Sequence, residues 1–176
     1  MSDRTVVAEG RHLRFVVEDG WEFVERPVAG VAVIVAVTPS DRLLLVEQFR
    51  PPVRRRVLEL PAGLAGDLPG HEREELADAA RRELLEETGY EAETMDVLAQ
   101  GPPAAGVTSE VVTFFRAGGL RRAGPGGGGP DEDIVVHEVE LAHVREFLEG
   151  AAGRDLLVDP KVFAGLYLVG RPSPPA

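Results

Sequence analysis

The chain contains no cysteine among its 176 residues. Disulfide bonds, thiolate metal sites and cysteine nucleophiles are therefore excluded. The first ten residues, MSDRTVVAEG, hold no apolar segment of the kind that a signal peptide requires. Nowhere does the chain approach the run of roughly 18 apolar residues that a membrane-spanning helix needs. We therefore expect no membrane partner and a cytoplasmic location.

Positive charge is also scarce, since 19 lysines and arginines stand against 30 aspartates and glutamates, for a formal net charge of −11. Such a surface argues against nucleic acid or an anionic membrane as the main partner, because both carry charge of the same sign. A phosphorylated small molecule can still bind if metal ions and a few placed arginines reverse the field locally.

Apolar residues make up 44% of the chain and charged residues 28%, which is typical of a soluble globular domain. Alternating or β-branched apolar patterns predict strands at residues 12–18, 21–25, 31–37, 43–49, 54–60, 95–100, 111–117 and 134–140. Helical patterns predict helices at residues 72–88, 141–149 and 161–169. Between the last two strands, residues 124–130 are too glycine-rich to order themselves, which predicts a mobile loop.

Strands followed by helices predict an α/β sandwich with a mixed sheet, formed by residues 29–176. Residues 1–28 predict a small antiparallel β segment, with a hairpin turn at Asp19-Gly20. That segment is too small to bury its apolar side alone.

The helix predicted at residues 72–88 places acidic residues in an unusual position. On a helical wheel, Leu76, Ala80 and Leu84 form the apolar stripe, and Glu83 and Glu87 fall within or beside it. Carboxylates there would be partly buried and would repel one another, which raises their pKa unless a cation holds them. Mg²⁺ prefers hard oxygen ligands, so a magnesium site resolves the conflict. A charged surface helix with fortuitous glutamates is the plainer alternative.

The same residues resemble the signature of a known family. Glu74 is followed after seven residues by RELLEETGY at 82–90, which resembles the second part of the Nudix box. The segments QFR at 48–50 and LELPAG at 58–63 are similar to segments typical of the ADP-ribose pyrophosphatase branch. One departure is the length between Gly63 and Glu74, where residues 64–73 make an apparent insertion.

The resemblance implies a Nudix-type α/β/α sandwich and a role for each residue of the box. Glu83 and Glu87 would be the principal Mg²⁺ ligands, with Glu86 as a third, and Mn²⁺ would be the substitute ion. The backbone carbonyl of Ala62 would be a further ligand. Arg82 and Glu74 would form a structural ion pair, and Gly89 would end the helix.

The resemblance also implies residues that contact the substrate or assist catalysis. Arg50 and Glu59 would lie at the substrate, with Arg50 on its phosphates. Glu132 would assist catalysis from a late loop, although a solvated acidic turn is the alternative there. Trp21 would stack on the base or simply pack at an interface. Glu110 would belong to a substrate loop or to a plain polar one.

Other charged residues receive no substrate role. We favour a surface or dimer-contact role for at least two of the three arginines Arg54, Arg55 and Arg56. The histidines His12, His71, His137 and His143 are scattered along the chain, so we interpret them as ordinary polar residues.

The resemblance implies three alternative functions. The first is Mg²⁺-dependent hydrolysis of the pyrophosphate bond of a nucleoside diphosphate linked to another group, most simply ADP-ribose to AMP and ribose 5-phosphate. The second is the same reaction on FAD, GDP-mannose or another nucleotide sugar. The third is a nucleotide sensor without turnover, which the retained carboxylates of the box disfavour. The family likeness also implies a homodimer.

Overall fold

The computed structural model describes residues 3–28, 30–66, 70, 72–129 and 132–170. Its helices are α1 (Leu76–Thr88), α2 (Val144–Glu149) and α3 (Pro160–Val169). Its strands are β1 (Arg4–Glu9), β2 (Arg14–Glu18), β3 (Trp21–Glu25), β4 (Gly30–Ala36), β5 (Arg42–Arg50), β6 (Arg55–Glu59), β7 (Ala62–Ala65), β8 (Tyr90–Glu91), β9 (Thr94–Gly101), β10 (Val112–Gly118), β11 (Arg121–Arg122), β12 (Val135–Glu140) and β13 (Leu157–Val158). Short 3₁₀ turns lie at Leu141–His143 and Ala152–Arg154.

Strand β4 lies at the centre and is buried on both faces, as its continuous apolar sequence predicts. Val33 and Val35 face a core that includes side chains of α2 and α3. Ile34 faces the opposite core, where Ala80 and Leu84 of α1 pack. The sheet is thus enclosed between helices on both sides, in agreement with the predicted sandwich.

The strands form a mixed arrangement. One four-stranded sheet has the order β7-β4-β10-β9, in which β4 pairs parallel with β10 and antiparallel with β7. A second four-stranded sheet has the order β12-β5-β6-β13. The short β7 was not predicted, because Pro61-Ala62-Gly63 has the composition of a chain break. Its pairing with β4 brings residues 62–65 against α1.

The N-terminal residues form an antiparallel sheet of the order β1-β2-β3. Strand β1 was missed by the sequence prediction because all six of its residues are exposed, so it carries no inward-facing apolar alternation. The sheet joins the rest of the chain where the Val24 nitrogen donates to the Val107 carbonyl at 2.9 Å. The division into residues 1–28 and 29–176 stays a prediction.

Helix α1 begins at Leu76, four residues later than predicted. The backbone of Glu75 is extended, with ψ of 141°, and the chain turns into the helix only after it. The strand predicted at 54–60 likewise begins at Arg55, because Arg54 has a left-handed φ of 52°. Of the apparent insertion, Leu64 and Ala65 belong to β7, while residues 67–69 and His71 lie outside the described residues.

The glycine-rich segment departs from the prediction that it cannot order itself. The nitrogens of Gly127 and Gly128 donate to the carbonyls of Glu87 and Glu86 at 2.8 and 2.9 Å. The Gly124 nitrogen donates to the Gly89 carbonyl at 3.0 Å. The segment therefore gains its order from the end of α1, whose last carbonyls need partners. In the described part of the chain, no helix is both long and apolar enough to cross a membrane.

Candidate active site

Helix α1 presents its acidic residues at different depths. Glu87 is buried, with 4% of its surface exposed. The Glu83 side chain is 14% exposed and that of Glu86 is 50% exposed. The helix ends at Gly89, whose φ of 76° is the left-handed conformation that glycine adopts without strain. Glu83 and Glu87 are therefore largely shielded from solvent, whereas the carboxylates of a solvated helix face would be exposed.

Burial has a direct effect on Glu87. Desolvation raises the pKa of its carboxyl to about 8, and the nearby charges of Glu83 and Glu132 act in the same direction. A hydrogen bond from the Ala62 nitrogen at 3.0 Å and the charge of Arg50 oppose the rise in this pKa without cancelling it. A buried carboxyl of this kind is stabilised in its charged form by a cation.

Strand β7 approaches the helix closely at Gly63. A Cβ atom on that residue would lie 1.9 Å from the Glu83 carboxyl carbon, so any side chain there would collide with Glu83. The glycine of the LELPAG segment is therefore required by the position of a carboxylate. The sequence contained this information only as a motif, without its steric reason.

Arg82 connects the carboxylates of this region. Its Nε and one terminal nitrogen donate to the two carboxylate oxygens of Glu74, each at 3.1 Å. The same nitrogen donates to the Leu64 carbonyl at 3.0 Å, which links α1 to β7. The other terminal nitrogen donates to Glu83 at 2.8 Å and to Glu86 at 3.3 Å. The contact between Arg82 and Glu74 is thus the one that the resemblance implies.

A cleft of about 650 Å³ opens beside Ala62 and Gly63. On one wall, the Arg50 Nε donates to Glu59 at 2.7 Å, and Glu59 is itself buried. In the same cleft, the Arg26 Nε donates to Glu110 at 2.6 Å. The sequence-based candidates Arg50, Glu59 and Glu110 therefore share one cleft. Arg26 and Lys161, which also line it, were missed because no motif marks them.

Glu132 reaches the site from the segment that follows the glycines. It is exposed, and its Oε2 accepts a hydrogen bond from the Gly129 nitrogen at 2.7 Å. Its charge acts on the pKa of Glu87, so the two carboxyls lie within electrostatic reach of each other. The role that the resemblance implies for Glu132 stays a prediction.

Trp21 does not join the cleft of its own chain. The indole is 66% exposed and lies in a separate groove with Phe23, Gly106 and Ser109. This groove and the cleft that holds Arg50 share no lining residue.

The residues present have the chemistry that a divalent metal requires, although their side chains are not arranged as a complete coordination site. Within the described residues, no three acidic or histidine side chains converge as a metal site. Glu83 and Glu86 instead bond to Arg82, and Glu87 bonds to the Ala62 nitrogen. All three offer hard carboxylate oxygens, and the buried Glu87 is a group that a cation would stabilise. The set therefore suits Mg²⁺ or Mn²⁺ once these side chains turn toward the ion.

Comparison with known proteins agrees with the fold and the box. The chain belongs to the Nudix family, because the family model described as the NUDIX domain matches residues 28–159. This confirms the resemblance based on residues 74–90.

Several relatives are similar to this chain. It is 34% identical over 120 residues to the methanol dehydrogenase activator of Bacillus methanolicus, a match that covers 68% of the chain and 60% of that protein. It is 35% identical over 96 residues to the ADP-ribose pyrophosphatase of Bacillus subtilis (strain 168), covering 54% of the chain and 48% of that protein. It is 35% identical over 157 residues to the ADP-sugar pyrophosphatase of Mus musculus, covering 84% and 69%. The chain thus spans only 60% and 48% of the first two proteins.

A solved structure shares the fold. The crystal structure of an ADP compounds hydrolase superposes with a TM-score of 0.71 at 21% identity, covering 96% of this chain and 91% of the other. At this identity the likeness shows the fold alone. It confirms the predicted Nudix-type α/β arrangement.

Proposed function

We propose that this protein hydrolyses the pyrophosphate bond of ADP-ribose and releases AMP and ribose 5-phosphate. The observation that carries the proposal is the buried Glu87 carboxyl, which bonds to Ala62 of a cleft that also holds Arg50. Buried acids next to an arginine-bearing cleft are suited to a metal-assisted reaction on a diphosphate. The names of the relatives from Bacillus subtilis and Mus musculus support the choice of an ADP-linked substrate.

Arg50 in the cleft would recognise the diphosphate. Arg50 has its Nε committed to Glu59, which fixes the plane of the guanidinium. The terminal nitrogens of that fork would remain for phosphate oxygens, whose geometry a guanidinium matches. Arg26, which is paired with Glu110 in the same cleft, would be a second arginine near the substrate.

Glu83, Glu86, Glu87 and the Ala62 carbonyl would hold Mg²⁺ in this proposal, with Mn²⁺ as its substitute. A bound divalent ion supplies Lewis acidity toward the phosphate oxygens and lowers the pKa of a bound water. Arg82 would release part of its contact with Glu83 and Glu86 while its paired bonds to Glu74 keep α1 in place.

Glu132 or a glutamate of the box would act as the general base. A water oxygen forms a bond to one phosphorus, and the bond from that phosphorus to the bridging oxygen breaks. The proton of the water passes to the carboxylate, and the other phosphate leaves with the electron pair of the broken bond. The reaction needs no further reactant.

Another nucleotide-linked diphosphate, such as FAD or GDP-mannose, would use the same machinery, because selectivity depends on the walls of the cleft. A sensor without turnover is the third possibility.

The proposal also includes a homodimer, in which Trp21 of one subunit would face the cleft of the other. Exposed apolar side chains on the N-terminal sheet, Val6, Val7 and Phe15, support an association there. A cytoplasmic location stays a prediction from the sequence.

The test is product formation from a panel of ADP-ribose, FAD, NADH, GDP-mannose and diadenosine polyphosphates with Mg²⁺, followed by chromatography. We expect the fastest release of AMP from ADP-ribose, abolished by EDTA and strongly reduced in Glu87→Gln. Faster turnover of another diphosphate would overturn the substrate but keep the reaction. Nucleotide binding without any turnover would overturn the reaction and favour a sensor.

A further inference from the structure

Arg56 binds the segment that carries Glu132. One terminal nitrogen of Arg56 donates to the Asp133 carboxylate at 2.7 Å, and the other donates to the Asp133 backbone carbonyl at 3.2 Å. The neighbour of Glu132 is therefore held through both its side chain and its main chain. A guanidinium can make two such bonds at fixed angles, whereas an ammonium group cannot reproduce them together.

The other contacts of Arg56 attach it to the sheet. Its Nε donates to the Glu47 side chain, and a terminal nitrogen donates to the Glu47 carbonyl at 3.2 Å. Glu47 also lies 3.0 Å from the His137 Nε2. The three residues come from strands β6, β5 and β12, of which the central β5 pairs with the other two. The Glu47 side chain is only 14% exposed, so the guanidinium rests on a largely enclosed carboxylate.

The described residues on either side of Arg56's contact are held in different ways. The Glu132 nitrogen donates to the Gly129 carbonyl at 3.0 Å, which closes a local turn within the segment. Ile134 is buried and fixes the following residue. Upstream, the Gly128 nitrogen donates to the Glu86 carbonyl of α1 at 2.9 Å, so the helix holds the start of the segment. At Asp133, the side-chain hydrogen bonds within the described residues come from Arg56. Asp133 is 83% exposed at its side chain, so the bonds lie at the surface and can exchange with water.

We propose that Arg56 is a positioning residue that holds the Glu132 carboxylate in its catalytic place through Asp133. This inference rests on the proposed hydrolysis and on the role of Glu132 in it. It also gives Arg56 a role distinct from that of Arg55, which lies on the same strand and bonds to the exposed Asp155 after the 3₁₀ turn at residues 152–154. The sequence treats residues 54–56 as equivalent arginines, and the structure separates them by their partners.

The first part of the test is a double-mutant cycle on ADP-ribose hydrolysis with the full chain. We expect Arg56→Lys and Asp133→Asn to lower kcat roughly 10- to 100-fold with little change in KM, because misplacement of a catalytic group has effects of this size. In a Glu132→Gln background the same substitutions should have almost no further effect on kcat. Arg55→Lys, the matched control, should leave kcat unchanged. Equal fold-losses with and without Glu132 would overturn the proposal, because a merely structural role acts in both backgrounds.

The second part does not depend on activity. Amide hydrogen exchange of the segment containing residues 128–134 should become faster in Arg56→Lys and Asp133→Asn, but not in Arg55→Lys. Unchanged exchange would overturn the proposal. If no diphosphate is hydrolysed, the proposed function fails while the exchange measurement still decides whether Arg56 holds the segment. If hydrolysis is normal in Glu132→Gln, the role of Glu132 and the catalytic part of this inference fail together.

Discussion

The buried carboxylate of Glu87 accepts a hydrogen bond from the backbone nitrogen of Ala62 at 3.0 Å. This single contact joins the last turn of α1 to the first residue of β7. Because Gly63 follows directly and approaches Glu83, the same strand end fixes the surroundings of both carboxylates.

The carboxylates of α1 should differ in importance according to their depth. We expect Glu83→Gln and Glu87→Gln each to lower kcat for ADP-ribose by roughly 100-fold or more, because each would remove an anionic metal ligand. Asp78→Asn, on the exposed face of the same helix, should change kcat less than twofold. Steady-state kinetics at saturating Mg²⁺, with circular dichroism to verify folding, would check this. Full activity of Glu87→Gln would contradict the proposed site.

Glu87 should destabilise the metal-free fold as pH rises. Its pKa is about 8 in the folded protein against an ordinary 4.5, so between these values the folded state binds more protons than the unfolded state. Stability contributed by the protonated form is therefore lost as pH rises from 4.5 toward 8. In EDTA, raising the pH from 6 to 8.5 should therefore destabilise wild type more than Glu87→Gln. The free energy of unfolding of the variant should rise relative to that of wild type by roughly 1 to 4 kcal/mol over this interval.

Urea unfolding at the two pH values would measure this gain. Glu86→Gln, which alters a half-exposed carboxylate, is the matched control and should show a much smaller change. A Glu87→Gln variant whose stability follows that of wild type at both pH values would refute the expected effect of burial.

A side chain at Gly63 should impair the site more than the fold. In Gly63→Ala the new Cβ would meet the Glu83 carboxyl group, the mobile end of a side chain, which can turn away. We expect the Tm to fall by only about 2–4 °C and kcat to fall at least about tenfold. Gly101→Ala, where no atom lies within 4 Å of the new Cβ, should leave kcat unaltered. Calorimetry and kinetics on both variants provide the comparison.

Arg82 should not tolerate lysine. The paired bonds to Glu74 and the bond to the Leu64 carbonyl need the planar fork of a guanidinium. Arg82→Lys should lower the free energy of unfolding by roughly 1–3 kcal/mol. Arg81→Lys affects an exposed pair with Asp78 and should cost less than about 0.5 kcal/mol. Equal effects at the two positions in chemical unfolding would count against this view of Arg82.

Local sequence patterns predicted the parts of the site that depend on one helix. The wheel placed Glu83 and Glu87 beside the apolar stripe because the helical period fixes the face of each side chain. The two-sided burial of β4 followed from its unbroken apolar run. The start of α1 was predicted too early, since the polar residues before Leu76 are compatible with a helix and only their contacts show otherwise.

Contacts between distant segments were beyond the reach of such patterns. The hydrogen bond of Ala62 with Glu87 and the bonds of Arg56 with Asp133 depend on strand pairing and loop paths that no local period encodes. Arg26 stayed hidden for the same reason, because its partner Glu110 is 84 residues away in sequence. Strand β1 was not predicted because all its residues are exposed, so only its pairing with β2 shows that it is a strand.

The glycines that close over the end of α1 have a consequence for protein engineering. A Cβ on Gly89 would lie 2.3 Å from the Gly124 carbonyl oxygen, and one on Gly126 would lie 2.4 Å from the Thr88 carbonyl carbon. Both collisions involve main-chain atoms, which cannot swing aside, and both glycines have positive φ. A library built to redirect this scaffold toward new compounds should therefore spare these glycines. The varied positions should instead lie around Arg26 and Glu110. Side chains can be exchanged there without disturbing the contact between the glycine-rich segment and the end of α1.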